Sequence, residues 1–295
     1  MRAVKPRRRV CPGQSVRFPI AAHDAFDWLR GGDGAHVAFA VDGFVTTRAG
    51  GVSAVFQKYE VGRGSGLGLA EALAPHGEEV AACAGFAGRL RAHHRVFIWP
   101  EDFPCAGEED APLITSVAPR TVGGLLDLGR RKQIDLAQLA AGIRKLRGRG
   151  YTSVKPMLSA TSAVECYLAN QTGDPWPGDV DAVLARRDTG AVTALVEFKT
   201  HNRDTPVERE HIGQYGPADW RRFRVLYQLR ERLAAAQGFA PRLYYVAWGT
   251  GAHANHRRIK VDLLGRDEVL ETRLLERPGW GQTSAALLDA LAHVR

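Results

Sequence analysis

Residues 178–200, GDVDAVLARRDTGAVTALVEFKT, carry an apolar run, a polar turn at Arg187-Asp188-Thr189-Gly190 and a second apolar run. This is the pattern of a β-hairpin. Asp181 lies eight residues before Thr189 and Glu197 eight residues after it, so a hairpin folded about that turn sets the two carboxylates on paired or nearly paired positions of neighbouring strands. Side chains alternate along a strand, which puts Glu197 and Lys199 on one face and sends Phe198 to the other, into the core.

The same patterning predicts further strands over 36–40, 52–61, 95–99, 242–248, 259–263 and 269–275, and helices over 78–93, 133–147, 159–170, 217–236 and 284–294. Leu136, Leu139, Ala140, Ile143 and Leu146 line one side of the helix over 133–147. Pro217 suits the first turn of the helix over 217–236, where Trp220, Phe223, Leu226, Tyr227 and Leu233 form an apolar stripe. The polar, Pro- and Gly-rich stretch 100–112, PEDFPCAGEEDAP, is the strongest internal break. The expected architecture is α/β: a mixed β-sheet flanked by helices over 133–295, with an additional N-terminal α/β region over 1–132.

Glu197 and Lys199 close a strand as apolar as Ala194-Leu195-Val196, and charged groups there need a reason. A structural ion pair explains an E-x-K tripeptide taken alone. The whole arrangement, an aspartate opening one strand and E-x-K closing its partner, suits a hard divalent cation, because two carboxylates held close repel unless a counter-charge joins them. Such a site can activate water and polarise a phosphate oxygen, with the lysine holding the water or stabilising a pentavalent transition state. The matching reaction is phosphodiester hydrolysis.

Gly178-Asp179-Val180-Asp181 and Val196-Glu197-Phe198-Lys199-Thr200 resemble the PD-(D/E)xK nuclease superfamily, within it the RecB-like and λ-exonuclease-like branch. The resemblance covers about residues 151–265 and implies a restriction-endonuclease-like core. It implies Asp181 and Glu197 as metal ligands for Mg²⁺ or Mn²⁺, with Asp179 as a second candidate, and Lys199 as the catalytic lysine. It also implies an acid on the helix before the hairpin, for which Glu165 in SATSAVECYLAN is the match; a solvent-facing glutamate is the competing reading. The glutamine that the λ-exonuclease-like branch carries on the following helix is matched by Gln228, although Tyr227 precedes it instead of following four residues later.

The chain has 295 residues, 45% hydrophobic content, a net charge of +8 and a pI near 9.6, and 33 of its 40 basic residues are arginine. Arginine grips phosphate through a planar fork, so DNA is the expected partner, with RNA left open. Arg221, Arg222 and Arg224 on the helix after E-x-K are candidate substrate contacts, joined by Arg230 and Arg232. Arg144, Lys145, Arg147 and Arg149 form a second basic cluster. A solvated helix face is the alternative for each of them. A homo-oligomer or a place in a larger complex both stay open.

Cys11, Cys83, Cys105 and Cys166 show no metal-ligand spacing, which points to a reducing, cytoplasmic setting, with a nuclear one open. No segment has the apolar length of a membrane span, and the basic start through Arg7-Arg8-Arg9 reads as a frayed terminus or a nucleic-acid-binding arm. The glycine run over 62–68 lacks the Gly-Lys-Ser/Thr ending of a nucleotide loop. His93-His94 and His253-Ala254-Asn255-His256 read as surface residues, and no repeats are expected.

Overall fold

The computed structural model describes residues 2–17, 20–21, 23–47, 50–62, 68–101, 103, 113–122, 125–147, 156–203, 205–215, 217–250 and 257–292. Its strands are β1 (Arg9–Val10), β2 (His36–Val41), β3 (Gly43–Thr46), β4 (Val52–Val61), β5 (His93–Pro100), β6 (Ile114–Val117), β7 (Arg120–Val122), β8 (Leu125–Asp127), β9 (Arg131–Ile134), β10 (Ser159–Ala160), β11 (Val180–Arg186), β12 (Val192–His201), β13 (Arg242–Gly249), β14 (Arg258–Leu264) and β15 (Val269–Glu276). Its α-helices are α1 (Leu69–Leu73), α2 (Gly77–Arg89), α3 (Leu136–Arg147), α4 (Ala163–Tyr167), α5 (Pro217–Gln237) and α6 (Ala285–Ala292). The protein is α/β with mixed sheets, as the patterning predicts.

The chain divides into two compact units, Met1–Ala22 with Asp42–Asp179, and His23–Val41 with Val180–Arg295. The division thus falls at 179/180 instead of the expected 132/133. Packing explains the difference. Leu139 and Ile143 of α3 and Val164 of α4 share one apolar core with Phe56, Phe97 and Trp99, so residues 133–179 complete the first unit. In the other direction β2 pairs antiparallel with β11 and becomes the edge strand of the second sheet.

The first unit contains a five-stranded sheet of order β3-β4-β5-β6-β9. Its N-terminal segment is stitched down at several points. Val4 bridges to Glu60, β1 pairs with β10, and Arg9 Nη2 meets both oxygens of Glu60 at 2.9 and 2.8 Å. The Cys11–Cys166 disulfide, with Cα atoms 5.5 Å apart, closes this seam. The expectation of a frayed basic arm is corrected here, because Arg9 neutralises a buried glutamate. Two of the cysteines, separated by 155 residues, are cross-linked although nothing in their spacing announced it.

The second unit contains a six-stranded sheet of order β15-β14-β13-β12-β11-β2. β12 and β13 run parallel because α5 crosses between them, and the remaining neighbours are antiparallel. Phe198, Trp28, Trp248 and Trp280 form an aromatic cluster on one face, with Trp28 stacked on Trp280 at 4.9 Å and edge-on to Phe198 at 6.4 Å. Ser284 caps α6 by accepting from Leu287 N–H at 3.1 Å.

Local boundaries follow side-chain chemistry. The helix expected over 78–93 ends at Arg89, because Arg91 turns left-handed at φ 53° and His93 opens β5. The helix expected from 133 starts after Ile134, which stays in β9, and Asp135 accepts from Gln138 N–H at 2.7 Å to begin α3. The loop over 100–112, the glycines over 63–67 and the histidines over 253–256 lie wholly or largely outside the described residues.

Candidate active site

The hairpin of the second unit forms in the register that its turn implies. Ala182, Val183 and Leu184 pair with Val196, Leu195 and Ala194, and continuing that register by one residue sets Asp181 opposite Glu197. The reversal is made at Arg186–Ala191, where Gly190 takes φ +64°, a conformation that costs glycine least. Near the turn the register slips by one residue, between Leu184 and Ala185, leaving the carboxylate end undisturbed.

Asp181 is locked from the backbone: its Oδ2 accepts the Phe198 N–H at 2.7 Å. The aspartate is therefore fixed by the middle residue of the E-x-K tripeptide. Phe198 anchors that residue by packing against Trp28 on the opposite face. Glu197 is buried at 3% exposure, whereas Asp181 and Lys199 are partly open. The hairpin thus presents two carboxylates and one amine on a single face, and oxygen donors of this kind are what a hard divalent cation takes, with waters or phosphate oxygens completing its shell. Among the described residues no group of three or more His, Cys, Asp and Glu converges as a metal-ligand set.

The same face carries a buried polar network absent from the sequence expectations. Tyr245 pairs with Glu197 across β13, and Asp262 pairs with Tyr245 across β14. Tyr245 donates its hydroxyl to Glu210 Oε1 at 2.9 Å, and His201 Nδ1 lies 2.5 Å from Glu210 Oε2. Lys260 Nζ donates to the Glu210 carbonyl at 2.6 Å and pairs with Asp262 at 3.0 Å, while Thr272 donates to Asp262 at 2.6 Å. Each of these groups has a neighbour of complementary polarity, the condition for burying them at all. One sequence signal pointed there: Lys260-Val261-Asp262 interrupts an apolar strand at alternate positions, as Glu197-Phe198-Lys199 does.

Glu165 has a different setting. It belongs to the first unit, at the third position of α4, where Glu165 N–H donates to Ser162 Oγ at 3.2 Å and Glu165 Oε2 accepts from Ser162 N–H at 3.2 Å. Thr161 donates to the same carboxylate from its backbone and its hydroxyl, and the buried Lys58 ammonium pairs with Oε1. The solvent-facing reading of Glu165 is wrong, and the cation that its burial requires is Lys58. Burial alone would lower the Lys58 pKa, but the carboxylates of Glu165, Asp42 and Asp179 more than offset this and raise it. Glu165 acts here as a capping-box and ion-pair residue.

Gln228 is exposed on α5 and lines a cavity of about 350 Å³ together with Leu243, Leu264 and the turn at Gly265–Glu268. Leu243 pairs with Leu195, two residues before Glu197, so Gln228 borders the start of β13, beside the β14–β15 turn. Arg224 lines the same cavity from an exposed position, whereas the side chains of Arg221 and Arg222 lie outside the described set. Arg230 is used internally, donating to the Pro241 carbonyl at 2.8 Å. In the second basic cluster Arg144 pairs with Asp174 and Arg147 donates to the Pro175 carbonyl, leaving Lys145 as an exposed cation; Arg149 is not described.

No family model matches the chain, and no curated protein does. Among solved structures, one titled "Crystal structure of Sex pheromone staph-cAM373 precursor" matches 77% of this chain and 71% of its own, at 9% identity and a TM-score of 0.14. A score that low carries no argument about fold. Among the described residues no helix is long and apolar enough to cross a membrane.

Proposed function

We propose that the second unit is a nuclease dependent on Mg²⁺ or Mn²⁺, hydrolysing phosphodiester bonds of DNA, as an exonuclease in preference to an endonuclease. This is the activity implied by the motif's resemblance to PD-(D/E)xK enzymes with a restriction-endonuclease-like core. Recombination, repair, viral replication and defence are the settings that such chemistry serves. The observation that carries the reading is the hairpin register, which sets Asp181 opposite Glu197 and Lys199 on their face, with Asp181 held by the Phe198 N–H.

A divalent cation, when bound, supplies water activation and Lewis-acid polarisation of a phosphate oxygen. Asp181 and Glu197 would hold it. The backbone bond to Asp181 fixes one carboxylate in advance, so little reorganisation is left for the reaction. Lys199 supplies an amine two residues beyond Glu197 on the same face, suited to orienting water or stabilising charge on the phosphorane. Exposed arginines such as Arg224 offer backbone contacts without sequence information.

Incubation of the purified chain with linear and circular DNA, with Mg²⁺ or with EDTA, tests the reading. Cleavage that needs the metal and disappears in Lys199→Ala is the expected result; its absence in the parent chain sinks the proposal. A non-cleaving nucleic-acid-binding or scaffold protein is the second reading. It is favoured by the engagement of His201, Glu210, Lys260 and Asp262 in an internal network. Binding of DNA without cutting is its signature.

A further inference from the structure

The two large sheets repeat each other pair by pair. β3 and β4 pair as Gly43↔Phe56, Phe44↔Val55 and Val45↔Ala54, then slip by one residue to Thr46↔Val52. β11 and β12 pair as Ala182↔Val196, Val183↔Leu195 and Leu184↔Ala194, then slip by one residue to Ala185↔Val192. The skipped residue is Ser53 in one and Thr193 in the other. Each hydroxyl donates to the same carbonyl position across the hairpin, Ser53 Oγ to Val45 at 3.2 Å and Thr193 Oγ1 to Leu184 at 3.3 Å.

The correspondence continues outward. β4 and β5 run parallel from Ala54↔His93 to Val61↔Pro100, and β12 and β13 from Ala194↔Arg242 to His201↔Gly249. α2 makes the first crossover and α5 the second. Val96↔Val117 on β5 and β6 then matches Tyr245↔Asp262 on β13 and β14, and each sheet adds one more antiparallel strand. Trp99 and Trp248 fall on equivalent positions. The crossover alone is common in α/β folds, but a bulge at the same step with the same hydroxyl bond is a specific feature. The expectation that the chain holds no repeat is corrected: Gly51-Val52-Ser53-Ala54-Val55 and Ala191-Val192-Thr193-Ala194-Leu195 are its clearest trace in the sequence.

This register aligns Asp42 with Asp181, and the lock is the same in both. Asp42 Oδ2 accepts Lys58 N–H at 2.9 Å, as Asp181 Oδ2 accepts Phe198 N–H at 2.7 Å. Gln57 stands where the second unit has Glu197, and Tyr59 where it has Lys199. A different cation arrives in the first unit. The Lys5 ammonium lies 2.5 Å from Asp42 Oδ2 and 4.3 Å from the centre of the Tyr59 ring. With an amide in place of one carboxylate, a single negative charge remains, and one ammonium matches it.

We infer that the first unit carries a second copy of the cation site, closed from within by Lys5. The inference rests on reading Asp181 and Glu197 as a site for a divalent cation. Lys5 is held in place by the stitched N-terminal segment, through the Val4–Glu60 bridge on one side and the Arg9–Glu60 pair on the other. The chain then binds one catalytic cation and uses its other half as scaffold.

Calorimetric titration of Mn²⁺ into the full chain tests this. The parent should bind at the Asp181 site and Asp181→Asn should abolish that binding. Adding Lys5→Met and Gln57→Glu to Asp181→Asn should create a new Mn²⁺ site, lost again with Asp42→Asn. Gln57→Glu with Lys5 intact, also in the Asp181→Asn background, should bind no Mn²⁺, because the ammonium still fills the position; this variant serves if removing Lys5 prevents folding, which circular dichroism reports. Mn²⁺ binding by that variant, native binding that persists in Asp181→Asn and vanishes with Asp42→Asn, or a folded Lys5→Met/Gln57→Glu/Asp181→Asn chain that binds nothing would each overturn the inference. Failure of the second-unit reading shows separately, as a parent chain that binds no Mn²⁺ while the first-unit variant gains it.

Discussion

In both units an aspartate at the start of a hairpin is held by a backbone N–H of the opposite strand, yet the positions around it have diverged in opposite directions. In the second unit, that face carries Glu197 and Lys199 and continues into Tyr245, Lys260 and Asp262. In the first, the equivalent face carries Gln57 and Tyr59 and continues into Val96 and Val117, which pack with Leu73 and Val80. The charge has moved to the other side of the strand: Lys58, on the position of Phe198, pairs with Glu165 where the second unit stacks aromatic rings. One backbone framework thus supports a face that stays polar across the sheet in the second unit and one that turns apolar beyond Gln57 and Tyr59 in the first. Side-chain alternation makes the exchange cheap, because one step along the strand changes which face a charge occupies.

The largest effect expected from breaking this contrast lies at Lys58. Lys58→Met should destabilise the first unit by about 3–5 kcal/mol, because Glu165 is left as an uncompensated buried charge. Urea unfolding measures the loss, and a second change, Glu165→Leu, should recover part of it. Next, Asp181→Asn should lower Mg²⁺-dependent cleavage by about 10²–10³-fold, the scale of losing one preorganised electrostatic group. Asp42→Asn should leave the cleavage rate per folded molecule unchanged, so equal losses would break the asymmetry between the two units.

Reduction of Cys11–Cys166 should cost about 2–4 kcal/mol. The described cysteines, Cys11, Cys83 and Cys166, lie in the first unit. Chemical denaturation with and without reductant should therefore move only the transition assigned to that unit, and a shift of both would contradict the division. The smallest effect, taken over a single pH unit, is the pH response of His94, which is buried with no hydrogen-bond partner for either ring nitrogen among the described residues, contrary to its reading as a surface residue. Burial, reinforced by the Lys5 charge, pulls its pKa from 6.5 down to about 3. Between those values the unfolded chain binds a proton that the folded chain does not. Stability should therefore fall by about 1.4 kcal/mol per pH unit as pH drops below about 6.5. His94→Leu should remove that component of the slope in urea titrations at several pH values.

The hairpin of the second unit was legible because its information is local: alternation fixes the faces, and Gly190 fixes the turn about which Asp181 and Glu197 meet. The long amphipathic helix at Pro217–Gln237 and strand Val52–Val61 were legible for the same reason. Glu165 was picked out as the acid on the helix before the hairpin, but the ammonium it pairs with lies 107 residues upstream, and no periodicity reports such a distance. Lys5 beside Asp42 and Cys11 beside Cys166 are hidden in the same way. His201 and Glu210 went unread because a buried network is defined by mutual satisfaction, visible only when Tyr245 and Lys260 are in place.

What the amino-acid order determined by itself was the hairpin around Gly190, the long helix after it, the α/β class and the face on which Glu197 and Lys199 stand, since backbone geometry converts spacing directly into direction. The tertiary structure alone decided which segments form one core, that 23–41 belongs to the second unit with β2 as an edge strand of its sheet, and that Lys5 reaches Asp42. Those outcomes depend on burial and charge compensation between residues far apart in the chain, which are properties of the folded whole.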